Sequence, residues 1–278
     1  MKLKNVIIAS CTVLIFLSCA TNPFTGKQTM ALVSNAQLFP TAFAQYNQVL
    51  SESNVETGTA RAEMITRVGQ RIAVAAERWL NANGHQGYLA DYEWEYKLID
   101  EPTVNAWCMP GGKIVFYTGI LPVAQNETGI AAIMGHEVAH ALANHGQQRM
   151  SAAYIQQGVA LAGNIAINNE EDRNTFNQYY GIGSQVGVML PFSRSHETEA
   201  DKIGLYLMAI AGYNPTEAAE LWKRMKANSG GGAPPEILST HPSNDSRIAN
   251  LQALAPQAVA EAKKFGIQSF KPITSYSY

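Results

Sequence analysis

Two histidines and a glutamate in the middle of the chain have the residue types and spacing of a metal site. His136 and His140 stand four positions apart, and Glu137 directly follows the first of them. On a helix this spacing places both imidazoles on one face, one turn apart, where two neutral rings can share one Zn²⁺. Glu137 lies on the flank of that face, where it can take a proton from a zinc-bound water. The triplet therefore matches the His-Glu-x-x-His pattern of zinc hydrolases.

The residues around this motif predict a buried helix. Residues 130–142 are rich in Ala, Ile, Met, Val and Leu, Asn126 can cap the helix start, and Gly146 can end it. Burying histidines and a glutamate costs free energy unless they have hydrogen-bond partners or bind a ligand, so their presence on a buried helix indicates one or the other. The alternative is a chance match with histidines that are only hydrogen-bonded in the core, because motifs of this length recur by accident.

Catalytic zinc usually takes a third protein ligand, and the candidates lie in a later acidic helix. Glu197 and Asp201 are four apart and share one helix face. Glu197 would complete the site, and Asp201 would accept the outer N–H of a ligand histidine. Glu199, on another face, is the competing ligand, and a solvated acidic helix start is the alternative to both. His145 falls outside the ligand face of the first helix and is interpreted as a surface or packing histidine.

The elements that must position these groups are mostly helical. Ser34 predicts the start of a helix that ends near Leu50, and a 3.6-residue apolar period predicts a second helix from Ala60 to Asn83. Three stretches before the metal motif, rich in aromatic and β-branched residues, predict a small sheet. These stretches are residues 92–99, 104–109 and 114–117.

Two regions near the motif are open to more than one interpretation. A strand beside a hydrolytic cleft can bind an extended peptide as a further strand, and Ile114, Val115 and Phe116 are the candidates for that role. The alternative is a sheet that only packs the helix.

Residues 150–190 have two interpretations. They form a helical hairpin of the core, or they form a lid or membrane-facing segment near the site. Neither apolar run in them reaches the length of a spanning helix.

The two ends of the chain are predicted to lie outside the main domain, which covers residues 34–268. Residues 1–18 combine a basic start with a short apolar run, which predicts a lipoprotein signal peptide with Cys19 as the lipidated residue. An ordinary secretory signal and an N-terminal membrane anchor are the alternatives. Residues 19–33 are predicted to be a tether, and residues 269–278 a loose tail.

Composition excludes several classes of protein. The chain has 278 residues, of which 46% are hydrophobic and 15% charged, with a net charge of −2. The low fraction of charged residues argues against a disordered chain. The absence of a basic run argues against a nucleic-acid partner. With Cys19 lipidated, Cys108 would remain as a free thiol, so the fold must be held by its core and not by disulfides.

Several motifs together are far more specific than any one of them, and their joint pattern resembles metallopeptidase family 48. That family includes the HtpX proteases and the CAAX prenyl endopeptidases. The similarity extends from about Asn22 to Leu254 and looks closest to an exported bacterial branch, of the BepA and LoiP type. The motifs that carry it are residues 136–140, Ser193-Arg194, residues 197–201, His241-Pro242 and Arg247, with residues 104–107 and 110–114 before the zinc helix.

The resemblance implies both a fold and a metal site. The implied fold is α+β but mainly α, a gluzincin-like zinc metallopeptidase domain with a small three-stranded sheet beside the zinc helix. One Zn²⁺ would be held by His136, His140 and Glu197. Glu137 would act as general base and then general acid in peptide-bond hydrolysis.

Two further residues take roles from the same resemblance. His241 would lie near the metal, where it either stabilises the oxyanion or occupies the fourth zinc position and holds the enzyme inactive. Arg247 would position that loop or itself help the oxyanion. A turn before a helix is the alternative interpretation of His241-Pro242.

The resemblance also implies a substrate, because the expected activity is cleavage of unfolded or misassembled envelope proteins. The location is predicted from the N-terminus: Ala20 after Cys19, without an acidic run, indicates the periplasmic face of the outer membrane, with the membrane contacted through the N-terminal lipid. The rival hypothesis is a latent protease that acts mainly as a periplasmic chaperone or assembly factor for outer-membrane proteins.

Overall fold

A computed structural model of the chain describes residues 19–184, 189–228, 236–242 and 244–276. The predicted signal peptide, residues 1–18, lies outside the described residues. Helices dominate the described part of the chain and two small sheets accompany them, which confirms the α+β, mainly α, class.

The helices begin where the sequence offers capping side chains. Ser34 and Gln37 form a reciprocal capping box, and Thr59 accepts a hydrogen bond from the Ala62 amide. Both helices that the sequence predicted before the sheet are present. The described helices are α1 (Asn35–Glu52), α2 (Ala60–Ala82), α3 (Leu121–Ala124), α4 (Glu127–Leu142), α5 (His145–Ala166), α6 (Glu170–Ser184), α7 (Leu190–Ile210), α8 (Thr216–Asn228), α9 (Glu236–Thr240) and α10 (Asp245–Lys264).

The main sheet has four described strands, one more than the sequence predicted. Its strand order is β3-β4-β6-β5, with β4 parallel to β6 and the other neighbours antiparallel. The added strand is β3, two residues long, which pairs with the end of β4. The described strands are β1 (Cys19–Thr21), β2 (Gln28–Met30), β3 (Val55–Glu56), β4 (Glu95–Ile99), β5 (Ala106–Met109) and β6 (Lys113–Tyr117).

The position of β6 corrects the predicted peptide-binding strand. Ile114, Val115 and Phe116 are fully buried, and their strand is paired on both sides, with β4 and with β5. A strand paired on both sides has no free backbone edge to which a peptide could add. The edge on the β5 side of the sheet is formed by Ala106–Met109 instead, and β5 packs on α4.

The segment predicted as a tether is folded. Strands β1 and β2 pair as an antiparallel hairpin, with Cys19 opposite Met30. Between them the Phe24 ring stacks on Trp79 of α2, with ring centroids 4.5 Å apart. The prediction of a tether over residues 19–33 was therefore wrong. The Pro and Gly residues form a tight turn, and the aromatic side chain in that turn, Phe24, packs on Trp79. Lipidation of Cys19 stays a prediction.

The segment predicted as a loose tail is also docked, as far as Tyr276. The Lys271 amide donates to the Gly212 carbonyl at 2.9 Å, and Ser275 forms a β-bridge with Asn126. Lys271 Nζ and the Tyr276 hydroxyl donate to the Glu127 carboxylate at 2.7 and 3.2 Å. The tail thus closes over the first turn of α4.

Helices α5 and α6 form a hairpin, joined through residues 167–169. A helical hairpin of the core was one of the two interpretations of residues 150–190. The hairpin is present, but its predicted place in the core is wrong, because α5 is buried only near its start and large apolar side chains beyond it are exposed. Within the part of the chain that the structure covers, none of the helices is both long and apolar enough to cross a bilayer.

Candidate metal centre

Helix α4 carries the His-Glu-x-x-His motif inside the core. Every residue from Thr128 to Leu142 is buried, as the apolar pattern predicted. Asn126 caps the helix by accepting a hydrogen bond from the Gly129 amide at 2.7 Å. The helix ends at Leu142 and not at Gly146, because Asn144 adopts a left-handed conformation with φ 55° and turns the chain.

Helix α7 crosses α4 at two glycines, and this crossing brings the acidic residues to the histidines. A Cβ on Gly135 would lie 2.8 Å from the Gly204 carbonyl oxygen, and one on Gly204 would lie 2.8 Å from the His136 backbone nitrogen. The two backbones therefore touch where any larger residue would separate them. Glu197 and Asp201, about two turns and one turn before Gly204, reach the imidazoles as a result.

Four side-chain donors converge at this crossing. Nε2 of His136 lies 3.1 Å from Nε2 of His140, and these two nitrogens lie 3.3 and 3.2 Å from the two Glu197 carboxylate oxygens. His241 adds its Nδ1, 3.2 Å from His136 Nε2 and 2.9 Å from Glu197 Oε1. The structure thus brings the three predicted ligands together and places His241 among them.

His241 reaches the cluster from the short connection between α9 and α10. Its amide donates to the Ile237 carbonyl at 2.8 Å, and the Ile237 amide donates to Val104 beside the sheet. The ring is only 8% exposed. Its other nitrogen, Nε2, lies 3.5 Å from Glu137 Oε1. His241 therefore bridges the space between the ligand atoms and the candidate general base.

Arg247 holds this connection against α7. Its Nε and Nη2 donate to the two Asp201 oxygens at 2.9 and 2.7 Å, and Nη1 donates to the Pro242 carbonyl and lies 3.2 Å from Glu197. The guanidinium also stacks 3.5 Å above the Trp222 ring. All three nitrogens are engaged and the side chain is buried, so the arrangement favours the positioning role over direct contact with an oxyanion.

Asp201 lies where the sequence predicted an outer partner for a ligand histidine. Its Oδ1 is 3.0 Å from His136 Nδ1, the ring nitrogen that points away from the cluster. A proton on that nitrogen leaves Nε2 free to bind a metal ion. This contact therefore orients the first histidine for metal binding.

One carboxylate oxygen of Glu137 makes no hydrogen bond within the described part of the chain. Glu137 is buried, and this oxygen, Oε1, lies 3.5 Å from the Nε2 of His241. A buried carboxylate oxygen without a hydrogen bond beside a metal-ligand cluster is costly unless a water or substrate group meets it. The atom thus fits the position of a proton acceptor.

The charges of the site are strongly coupled. Burial and Arg247 lower the pKa of His136, but the carboxylates of Asp201 and Glu197 outweigh them and raise it to about 9. Burial keeps the pKa of His140 well below its usual value. Although burial raises the pKa of Glu197, hydrogen bonds from the histidines hold it well below the usual range. Metal binding must therefore displace a proton from His136.

His145 was interpreted from the sequence as a surface or packing residue facing away from the ligands, and the structure corrects its direction. It is fully buried, as a packing residue is, but its Nδ1 lies 2.9 Å from Nδ1 of His140. The left-handed turn at Asn144 ends α4 and starts a new helix at His145, so counting along one helix does not give its direction. Glu199, the competing ligand candidate, bonds the other nitrogen of His145 at 2.8 Å and lies outside the donor cluster.

Sequence reasoning also missed Trp222, which packs against both Arg247 and the His136 ring. A tryptophan on an amphipathic helix carries no signal that separates a site wall from ordinary core. Gly135 and Gly204 do carry a signal, because a glycine inside an otherwise strong helix indicates close backbone approach.

The donor set fits Zn²⁺. Zinc bonds of about 2.0–2.1 Å at tetrahedral angles place the ligand atoms about 3.3 Å apart, close to the 2.9–3.3 Å separations found here. Imidazole nitrogens with one carboxylate are the donors of catalytic zinc. The residues present thus fit the zinc predicted from the sequence.

Known proteins that are similar to this chain include a peptidase family and several metalloendopeptidases. The pattern of Peptidase family M48 matches residues 59–255, well over half of the chain. A mitochondrial metalloendopeptidase OMA1 from Schizosaccharomyces pombe is 36% identical over 61% of this chain and 49% of its own length. The Bos taurus OMA1 is 29% identical over 88% and 47%. The β-barrel assembly-enhancing protease of Escherichia coli is 27% identical over 66% and 40%.

The relatives correct one prediction made from the N-terminus. The chain spans about half the length of the first relatives it matches, and those relatives are mitochondrial by name. The localisation at the periplasmic face of the outer membrane is overturned by this finding, and the exported bacterial lipoprotein branch is not supported. The metallopeptidase class itself is confirmed: the chain belongs to peptidase family M48.

Proposed function

We propose that this protein is a zinc-dependent endopeptidase whose ligands are His136, His140 and Glu197. The observation that supports it most is the set of donor atoms at tetrahedral separations, with the unpaired Glu137 oxygen next to it. Zinc, when bound, supplies a Lewis acid that activates water toward a peptide carbonyl.

Glu137 acts as the proton carrier in this proposal. Its Oε1 takes the proton of the attacking water and returns it to the nitrogen of the leaving amine. Asp201 holds His136 in the tautomer that offers Nε2, and Arg247 holds Asp201 and Glu197 in place. The protein thus contributes orientation and proton transfer around the metal.

The experiment is cleavage of an unfolded protein, β-casein, by the zinc-loaded full chain and by Glu137→Gln. The amide keeps the size of the side chain but cannot accept the proton, so we expect zinc content to be unchanged and the cleavage rate to fall by at least about 100-fold. Chelation and zinc repletion of the wild type provide the control. Cleavage retained by a zinc-loaded Glu137→Gln protein would remove the general-base role.

His241 supports a second candidate, a latent protease that works mainly as a binding or assembly factor. Its Nδ1 lies 3.2 Å from His136 Nε2 and 2.9 Å from Glu197 Oε1, so it can fill the position that a catalytic site keeps for water. A relative named as a β-barrel assembly-enhancing protease is consistent with an assembly role. The competing role is a catalytic helper that stabilises the oxyanion.

The variant His241→Ala separates these roles. If His241 fills the fourth zinc position, the variant should cleave casein faster, because that position becomes free. If His241 stabilises the oxyanion, the variant should cleave casein more slowly at equal zinc content.

Unfolded or misassembled proteins are the substrates we propose, and the β5 edge of the sheet, Ala106–Met109, offers a place where an extended chain could pair beside α4. Cleavage restricted to folded proteins would contradict that substrate class.

A further inference from the structure

Behind the donor cluster lies a second group of buried polar side chains. His145 is fully buried and Glu199 is 8% exposed. Nδ1 of His145 lies 2.9 Å from Nδ1 of His140, and its Nε2 lies 2.8 Å from Glu199 Oε2. The three side chains form a continuous hydrogen-bonded line that starts at a ligand histidine and ends at a carboxylate.

The protonation of this line follows from its two ends. His140 turns Nε2 toward the donor cluster, so a metal on that atom leaves the proton on Nδ1. That N–H must donate to His145 Nδ1, which therefore acts as an acceptor. A neutral imidazole with an accepting Nδ1 carries its proton on Nε2. This second N–H then donates to the Glu199 carboxylate.

We propose that His145 and Glu199 are a positioning pair, which fixes the tautomer and ring orientation of His140 for zinc binding. The inference rests on the zinc site of the proposed function and extends it to residues that do not touch the metal. His136 has its outer carboxylate in direct contact, Asp201 at 3.0 Å, whereas His140 reaches Glu199 only through a second imidazole. Helix α7 thereby supplies a ligand and both outer carboxylates, at positions 197, 199 and 201.

The surroundings hold this pair in one orientation. The His145 ring stacks on His196 with centroids 4.0 Å apart and an angle of 10° between the planes. His196 is itself within 3.1 Å of the Gln148 side-chain oxygen. Lys27 lies 3.8 Å from the second Glu199 oxygen and places a positive charge near the end of the line. A ring stacked in this way cannot rotate away from His140 without losing its packing.

The test is Zn²⁺ affinity, measured by competition with a chromophoric chelator on the full-length chain. In His145→Phe the phenyl ring can keep the stacking on His196 but offers no acceptor, so we expect zinc affinity to fall by about 10- to 100-fold. Glu199→Gln keeps an accepting oxygen without the charge, and its loss should be smaller. The matched control is Glu217→Gln, which removes a buried carboxylate that bonds Asn126 and Arg224 instead. Its zinc affinity should stay within about twofold of the wild type.

A second readout keeps the proposal testable if His145→Phe fails to fold. In the zinc-loaded wild type, ¹⁵N-resolved imidazole spectra should show His140 protonated at Nδ1 and His145 protonated at Nε2. The opposite tautomer of His145, or a folded His145→Phe protein with wild-type affinity, would overturn the positioning role. A wild type that binds no zinc would instead reject the proposed function, so the two failures are distinguishable.

Discussion

Two consecutive helices that both contain many apolar residues, α4 more so than α5, differ in how far they are buried. Helix α4 is buried over its whole length from Thr128 to Leu142 and packs against α2, α7, α8 and the sheet. Helix α5 is buried only near its start and then packs mainly on its hairpin partner α6. Large apolar side chains of the hairpin are 40% to 73% exposed: Tyr154, Ile155, Val159, Leu161, Ile165 and Tyr179.

The difference shows that apolar composition does not by itself decide burial. Both helices can offer apolar side chains, but only α4 has partners on every side. Its motif residues are therefore held by packing from all directions, whereas the exposed part of the hairpin, beyond Ser151, can change without disturbing them. We expect substitutions in the α4–α7 region to be costly and equivalent substitutions in that exposed part of the hairpin to be tolerated.

The largest effect should come from Glu197→Ala. The change removes a ligand and leaves Arg247 Nη1 without the carboxylate that lies 3.2 Å from it. We expect zinc affinity to fall by more than about 100-fold, above the range for loss of an outer partner. Metal content after dialysis measures it. Full occupancy in this variant would point to another ligand, with Glu199 as the first candidate.

A second prediction tests the helix crossing by adding one methyl group. In Gly204→Ala the new Cβ would meet the His136 backbone nitrogen at 2.8 Å, and backbone atoms cannot move aside as a flexible side chain can. We expect a loss of about 1–3 kcal/mol in the free energy of unfolding, with weaker zinc binding. Urea denaturation measures the free energy.

The control for this prediction lies in the hairpin. Gly158 is inside α5 with nothing within 4 Å of a built Cβ. Because alanine is the better helix former by about 1 kcal/mol, Gly158→Ala should stabilise the protein slightly. Equal effects of the two glycine substitutions would remove the contrast between the crossing and the hairpin.

A third prediction concerns the carboxylate that joins the tail to α4. Burial raises the pKa of Glu127, but hydrogen bonds from Arg67, Lys271 and Tyr213 outweigh it and lower the pKa to about 2, from 4.5. This carboxylate therefore stabilises the fold fully above about pH 4.5, and the contribution is lost as the pH falls through about 2.

The measurement is the melting temperature of the wild type and of Glu127→Gln between pH 6 and pH 2. The variant should be less stable at pH 6, and the difference should stay the same down to about pH 4.5 and then shrink as the pH falls toward 2. A difference that stays constant with pH would show that the loss is one of packing and not of the charge.

The smallest effect is expected on the hairpin surface. Leu161 is 62% exposed and Ile165 is 73% exposed. Replacing both by Gln should change the free energy of unfolding by no more than about 0.5 kcal/mol and should reduce self-association at high concentration. Ile130→Gln, at a fully buried position of α4, is the contrasting variant and should be strongly destabilising. A large loss from the hairpin variant would show that this surface is covered.

Sequence reasoning succeeded where the determining interactions are local. Helices α1 and α2 were predicted within a few residues, because their capping side chains act within one turn. It failed where a residue's environment depends on distant chain. The segment 269–278 reads as a loose tail, yet it docks through Lys271 and Tyr276 on a carboxylate early in α4. Residues 114–116 were candidates for a peptide-binding strand, yet β4 and β5 pair with both sides of β6.

The shared helix face of His136 and His140, next to Glu137, could be derived from the amino-acid order alone, because a four-residue spacing on a helix depends only on backbone geometry. The position of Glu197 facing the histidines, with Glu199 behind them beside His145, could not be derived in this way. It depends on the approach of α7 to α4 at Gly135 and Gly204 and on the left-handed turn at Asn144. Both are set by contacts between elements far apart in the chain, which no local spacing encodes.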